Sequence, residues 1–233
     1  MGFPLEPRTV RWYGIGAVLG LLASSLLVGS WHQSTAGLSV TVLGAGRQAS
    51  VLITSGHRHM LIAAGTNGAA FSNAVSDALT PVDNELVLVL IDPAASQDVH
   101  ERVRTLDSRL VWMLPARSEP PTTGTVERSF TVEFDESTHV RVSVRFNGAW
   151  YAELTTSAGR VVIAPDVSSI GDSPQHFSVA ILTHEQERAN LEVPLIIGVP
   201  GIASPDDQEL RVVSPGSTVR LDFDNGEIRT LAA

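Results

Sequence analysis

The sequence predicts a layered α/β (α+β) sandwich, rich in strands and poor in helices, behind one N-terminal transmembrane helix. Three observations predict it. A charge-free apolar stretch lies between Trp12 and Trp31. Beyond it, short segments with period-two alternation or continuous apolar character recur down the chain, separated by Gly, Asn and Asp turns. Only two segments there, Asn67–Leu79 and Ser96–Leu106, have helical character. No repeat of fixed period occurs, which argues against solenoids and propellers.

The N-terminal segment divides into a cytoplasmic tail (1–11), a transmembrane anchor (12–31) and a linker (32–37), leaving 38–233 as the domain. At 1.5 Å rise per residue the 20 residues from Trp12 to Trp31 span about 30 Å, the thickness of a bilayer hydrocarbon core. Indoles at both ends suit the interfacial belts, and Arg8 and Arg11 precede the span while Arg47 lies well beyond it. The positive-inside rule then places the domain outside the cell membrane, on a single-pass anchor. A cleaved signal peptide is the alternative, with Ser34-Thr35-Ala36 as a small-x-small cleavage site.

Within the domain, Leu38–Leu43 and Ser50–Thr54 read as strands joined by the Gly44–Arg47 turn, and Ser55-Gly56 turns into His59–Ala63. Asn67–Leu79 places Ala70, Phe71, Ala74, Val75 and Ala78 at helical spacing and stops before Pro81. Leu86–Ile91 is continuously apolar, as in a strand covered on both faces. Ser96–Leu106 carries acid early and base late, which suits a helix dipole. Leu110–Leu114 reads as a short buried strand, and Arg117–Thr125, with Pro120-Pro121, as a loop. Strands follow at Val126–Phe134, His139–Phe146, Trp150–Thr156 and Arg160–Ala164, with Asn147-Gly148 as a hairpin turn. Further strands are expected at Phe177–Leu182, Leu195–Ile197, Leu210–Val213, Thr218–Phe223 and Ile228–Leu231.

Composition narrows the function. The 233 residues contain no Cys, which excludes a disulfide scaffold, a thiolate metal site and a cysteine nucleophile. Net charge is −9, and after the apolar stretch 14 Arg face 24 acids with no basic stripe among them. Such a domain repels a phosphate backbone, so direct nucleic-acid binding is disfavoured.

The run Leu43-Gly44-Ala45-Gly46-Arg47-Gln48-Ala49-Ser50-Val51-Leu52-Ile53 resembles the L-D-V-G-Q-G-D-A-V-L-I opening of metallo-β-lactamase-like domains. Within that group it is most similar to the extracytoplasmic carboxy-terminal domain of the DNA-uptake competence protein ComEC. Gly56–Gly65 stands where the group has G-x-x-x-L-I-D-G-G, and Leu88–Gln97 where a buried strand runs into H-x-H-x-D-H. More loosely, Val162–Asp166 falls at a strand ending T-G-D, and Ile181–His184 at a strand ending in His. The resemblance covers most of residues 38–231 and implies an αββα sandwich.

The same resemblance locates a metal site that this chain lacks in most positions. The motif positions hold Asp92, Ala94, Ser96 and Gln97, and Gly44, Ala49 and Ala63 stand where the group has acids. Alanine and glycine donate no lone pair, and Ser and Gln are poor zinc ligands. Asp92, Asp166 and His184 are the residual candidates, too few for a strong transition-metal site. No metal, cofactor or catalytic residue is therefore expected.

Other constellations carry less. His57-Arg58-His59 has ligand-like spacing but sits at a hairpin tip and reads as an exposed polar turn. His100, His139 and His176 are isolated. No G-x-S-x-G elbow occurs, and Gly44-Ala45-Gly46 lacks both a third glycine and a following helix. The acids at Asp206, Asp207 and Glu209 and at Asp222 and Asp224 lack calcium-loop spacing. Trp112 and Trp150 read as core or sheet-face residues. The expected function is a membrane-anchored, exported, non-catalytic binding or scaffolding module, with a membrane-protein partner and, by resemblance, a link to competence. The alternative is a metal-dependent hydrolase or nuclease with a site rearranged onto Asp92, Asp166 and His184.

Overall fold

The computed structural model describes residues 37–79, 86–116, 128–145, 148–170, 177–186, 191–202, 208–224 and 227–232. Gly37–Ala233 forms a compact unit. The expected tail and anchor (1–11 and 12–31) and nearly all of the linker lie outside the described residues. Among the described residues no helix is long and apolar enough to cross a membrane. The single-pass anchor, the cell-membrane location and the extracytoplasmic placement built on it are accordingly withdrawn.

Fourteen strands form two seven-stranded sheets. The first contains β1 (Leu38–Gly44), β2 (Ala49–Ser55), β3 (Arg58–Ala63), β4 (Leu86–Ile91), β5 (Val111–Met113), β13 (Thr218–Asp224) and β14 (Glu227–Ala232). Its order is β14-β13-β1-β2-β3-β4-β5, antiparallel up to β3 and parallel from β3 through β5. The second contains β6 (Arg128–Glu133), β7 (His139–Val144), β8 (Trp150–Thr156), β9 (Gly159–Ala164), β10 (Val179–Leu182), β11 (Leu195–Gly198) and β12 (Glu209–Val212). Here β6 to β9 are antiparallel neighbours, and β9 to β12 run parallel, each beside its predecessor in a solenoid-like succession.

Alternation of side chains distributes the apolar residues of the first sheet between two cores. Val40, Val42, Val51, Ile53, Met60, Ile62, Leu88 and Leu90 face the second sheet and share one cluster with Val140, Val142, Trp150, Leu154 and Ile181. Leu43, Leu52, Leu61, Val89 and Ile91 point the other way. There they meet α1 (Gly68–Ala78) through Phe71, Ala74 and Val75, and α2 (Gln97–Val103) through Val99 and Val103. The side chain of Asn67 caps α1 by accepting from the Ala69 and Ala70 amides, and Ser96 caps α2 by accepting from Val99 N–H.

The expected αββα sandwich behind a transmembrane helix is not what forms. Strands take up 51% of the structure and helices 14%. One helical layer covers the first sheet, whereas the second sheet carries, among the described residues, only the four-residue α3 (Val167–Ile170). The connections after β9, β10 and β11 explain this: they contain Pro174, Pro194, Pro200 and Pro205 and no helix-period apolar pattern. The parallel succession of β9 to β12 needs no fixed-period repeat, so its solenoid-like character escaped the periodicity argument.

Two smaller expectations also change. The strand at Leu110–Leu114 is not buried: Leu110, Val111, Trp112 and Met113 are exposed, because β5 is an edge strand. Trp112 rests against Phe130, with ring centroids 4.6 Å apart. His57-Arg58-His59 is not uniformly an exposed turn. His57 is exposed, but His59 is buried in β3 with Nδ1 3.1 Å from Thr54 Oγ1. Arg58 reaches across to the second sheet and donates to the Glu133 and Phe134 carbonyls.

In the β6–β7 turn, slight burial pushes the Asp135 carboxyl up, but hydrogen bonds from Ser137 and Thr138 outweigh it. The net result lies below the usual carboxylate value.

Candidate functional site

Strand polarity brings three loops together. Chains leaving the C-terminal ends of β4, β9 and β10 emerge at one edge of the paired sheets, and the first residues beyond them include Asp92, Asp166 and His184. All three line a pocket of about 300 Å³, together with Trp150 at the start of β8. Two backbone links join the sheets here: Ala49 N–H donates to the Thr183 carbonyl, and Gln48 forms an antiparallel bridge with His184.

Asp92 is 1% exposed, and a carboxyl buried so deeply requires compensation. Its backbone N–H donates to the Ala63 carbonyl at 2.9 Å, which continues the β3–β4 ladder and fixes the residue's position. Its Oδ1 accepts from Ala94 N–H at 2.7 Å, an Asx turn that folds the loop back on itself. Its Oδ2 accepts from Trp150 Nε1–H at 3.1 Å. The indole belongs to the second sheet and the carboxyl to the first, so this bond ties the two layers at the pocket floor.

His184 is held by its backbone N–H, which donates to the Pro165 carbonyl at 3.0 Å. Its Nε2 lies 3.3 Å from Asp92 Oδ2, within ion-pair range. The angle is not that of a hydrogen bond, and this buried nitrogen makes no hydrogen bond among the described residues. Asp166 has a local task. Its Oδ1 accepts from Ser168 Oγ–H at 2.6 Å, Ser169 N–H at 2.9 Å and Ser169 Oγ–H at 3.1 Å, holding the start of α3.

The three residual candidates thus share a cavity. Among the described residues, however, no three His, Asp or Glu side chains are grouped so as to hold a metal ion. Zinc requires donors about 2.0–2.2 Å from one point, and the chain has no Cys to supply another. The donor set does not fit a divalent ion. The neighbouring motif positions are also committed elsewhere: Ser96 caps α2, and Ala94 presents only a methyl group to the cavity wall. Ala49 and Ala63 are fully buried, and Gly44 has no space for a side chain, since a Cβ there would lie 2.0 Å from the Ser214 carbonyl oxygen.

Two participants were not assigned to the site from sequence. Trp150 was read only as a packing residue. A buried indole N–H needs an acceptor, and an acid closing a buried strand needs a donor, so the pair had a signal on each side. Ser169, 1% exposed and in the pocket lining, had none, because α3 is too short to announce itself by periodicity.

No protein-family model matches this chain, and no curated protein matches it in sequence. Nothing in these comparisons identifies a metallo-β-lactamase-like or ComEC-like domain, and the competence assignment is withdrawn with the membrane assignment.

Proposed function

We propose that this chain is a non-catalytic binding module whose ligand site is the pocket at the ends of β4, β9 and β10. The observation that carries the reading is the employment of Asp92. Both of its oxygens accept hydrogen bonds from the protein, one from the Ala94 amide and one from the Trp150 indole. A carboxyl used in this way braces a cavity rather than presenting two free lone-pair faces to an ion. The cavity itself has the usual make-up of a small-molecule site, mostly apolar wall with a few convergent polar groups. The net charge of −9 favours ligands other than polyanions.

A second reading, a metal-dependent hydrolase using Asp92, Asp166 and His184, is favoured by the presence of all three in one pocket. Metal loading separates the two. After incubation of the full-length chain with excess zinc or manganese and removal of free ion, the binding module retains well under one ion per chain by elemental analysis. It also hydrolyses a generic phosphodiester no faster than its Asp166→Ala variant. One ion per chain, lost in Asp166→Ala together with hydrolysis, would establish the enzyme instead.

A further inference from the structure

The binding-module reading leaves open what the pocket holds, and the inference here rests on that reading. Its polar groups are two carboxyls, an imidazole and an indole, and no described lining residue is Arg or Lys. The rest of the wall is largely alanine and proline. Negative groups with no cationic neighbour select a cation. The donors share a cavity without converging on one point, which disfavours a metal ion with its short bonds and favours a cation that spreads its charge over N–H groups.

A second observation points the same way. Asp92 Oδ2 and His184 Nε2 stand 3.3 Å apart, and Nε2 is buried without a hydrogen bond. With the imidazole neutral and its proton on Nδ1, these are two acceptors side by side. Oδ2 keeps capacity for a second bond beyond that from Trp150, since a carboxyl oxygen carries two lone-pair sites. An ammonium group, with three donors on one nitrogen, meets both. The volume of about 300 Å³ lies at the small end for ligand pockets, enough for one ring or a short chain beside the charged group.

We infer that the pocket binds a small primary organic ammonium ion with an apolar body. Benzylammonium and its neutral counterpart benzyl alcohol are suitable probes, because they match in shape and differ in charge. Titrated calorimetrically into the full-length chain, benzylammonium is expected to bind at least about tenfold more tightly than benzyl alcohol, the worth of one charge-assisted hydrogen bond. Asp166→Asn, which keeps the oxygen that holds the start of α3, removes most of that selectivity while leaving the thermal midpoint near wild type. Should Asp166→Asn unfold, the wild-type comparison still decides. Equal affinity for the two probes, or no saturable binding of benzylammonium at millimolar concentration, overturns the inference. A metal-poor chain that fails to discriminate the probes defeats only the ligand class, whereas stoichiometric metal after loading defeats the binding-module reading itself.

Discussion

Trp150→Ala is expected to destabilise the domain by about 3–5 kcal/mol, the cost of emptying a large buried aromatic site. Trp150 is 1% exposed and heads the largest fully buried side chains, and it sits in the cluster shared by both sheets. The substitution also strands Asp92, whose Oδ2 loses its indole donor while remaining buried. An unsatisfied buried group of this kind adds about 1–3 kcal/mol. Trp150→Phe separates the two effects, because it keeps most of the apolar volume and loses the donor. Its expected cost is the smaller increment alone. Urea unfolding followed by far-ultraviolet circular dichroism measures both, and a Trp150→Phe domain as stable as wild type would show that the indole–carboxyl bond contributes nothing.

Gly44→Ala is expected to cost about 3 kcal/mol for a single methyl group, through overpacking against backbone and loss of hydrogen bonds. A Cβ at this position would lie 2.0 Å from the Ser214 carbonyl oxygen and 2.8 Å from its carbon, and neither belongs to a flexible side chain. The two segments are also tied together, with Gly44 N–H donating to the Ser217 carbonyl and Gly216 N–H to the Gly44 carbonyl, each at 3.0 Å. Relief of the clash requires breaking those bonds. The unfolding midpoint of Gly44→Ala checks this, with Gly56→Ala as a comparison: a Cβ at Gly56 meets nothing within 4 Å, so only the strain of its positive φ remains. Gly44→Asp would fare no better than Gly44→Ala, so one point substitution cannot restore an acid here.

Individual elements of the fold were legible where local patterns are strong. Leu86–Ile91 and Trp150–Thr156 appear with the expected boundaries, and α1 lies within the predicted Asn67–Leu79 helix. Their signals were a continuous apolar run, a hairpin after Asn147-Gly148, and Phe71, Ala74 and Val75 on one helical face. The layering was not legible in the same way. Whether a second helical layer covers the β9–β12 face depends on connections that carry prolines rather than a periodic pattern, and resemblance filled that gap incorrectly. Exposure of Leu110–Met113 was hidden for a related reason, since an apolar run has the same composition in a central strand as on an edge.

The site divides similarly. Asp92, Asp166 and His184 could be singled out by their places at strand ends, and strand polarity brings them to one cavity. What each does there was not visible. The hydrogen bonds that occupy Asp92 and Asp166 come from Trp150, Ala94, Ser168 and Ser169, and the Trp150 contact spans 58 positions of sequence. A pairing across two sheets leaves no local pattern.

The central claim is that Asp92 is engaged by the protein and not by an ion, and the indole N–H resonance of Trp150 reports on it most directly. In a ¹⁵N-labelled full-length chain, assigned by its loss in Trp150→Phe, that resonance is expected to exchange slowly with solvent and to keep its position throughout a zinc titration. A saturable shift or loss of the Trp150 signal at one equivalent of zinc would mean that the carboxyl leaves the indole for the metal, and would contradict the account.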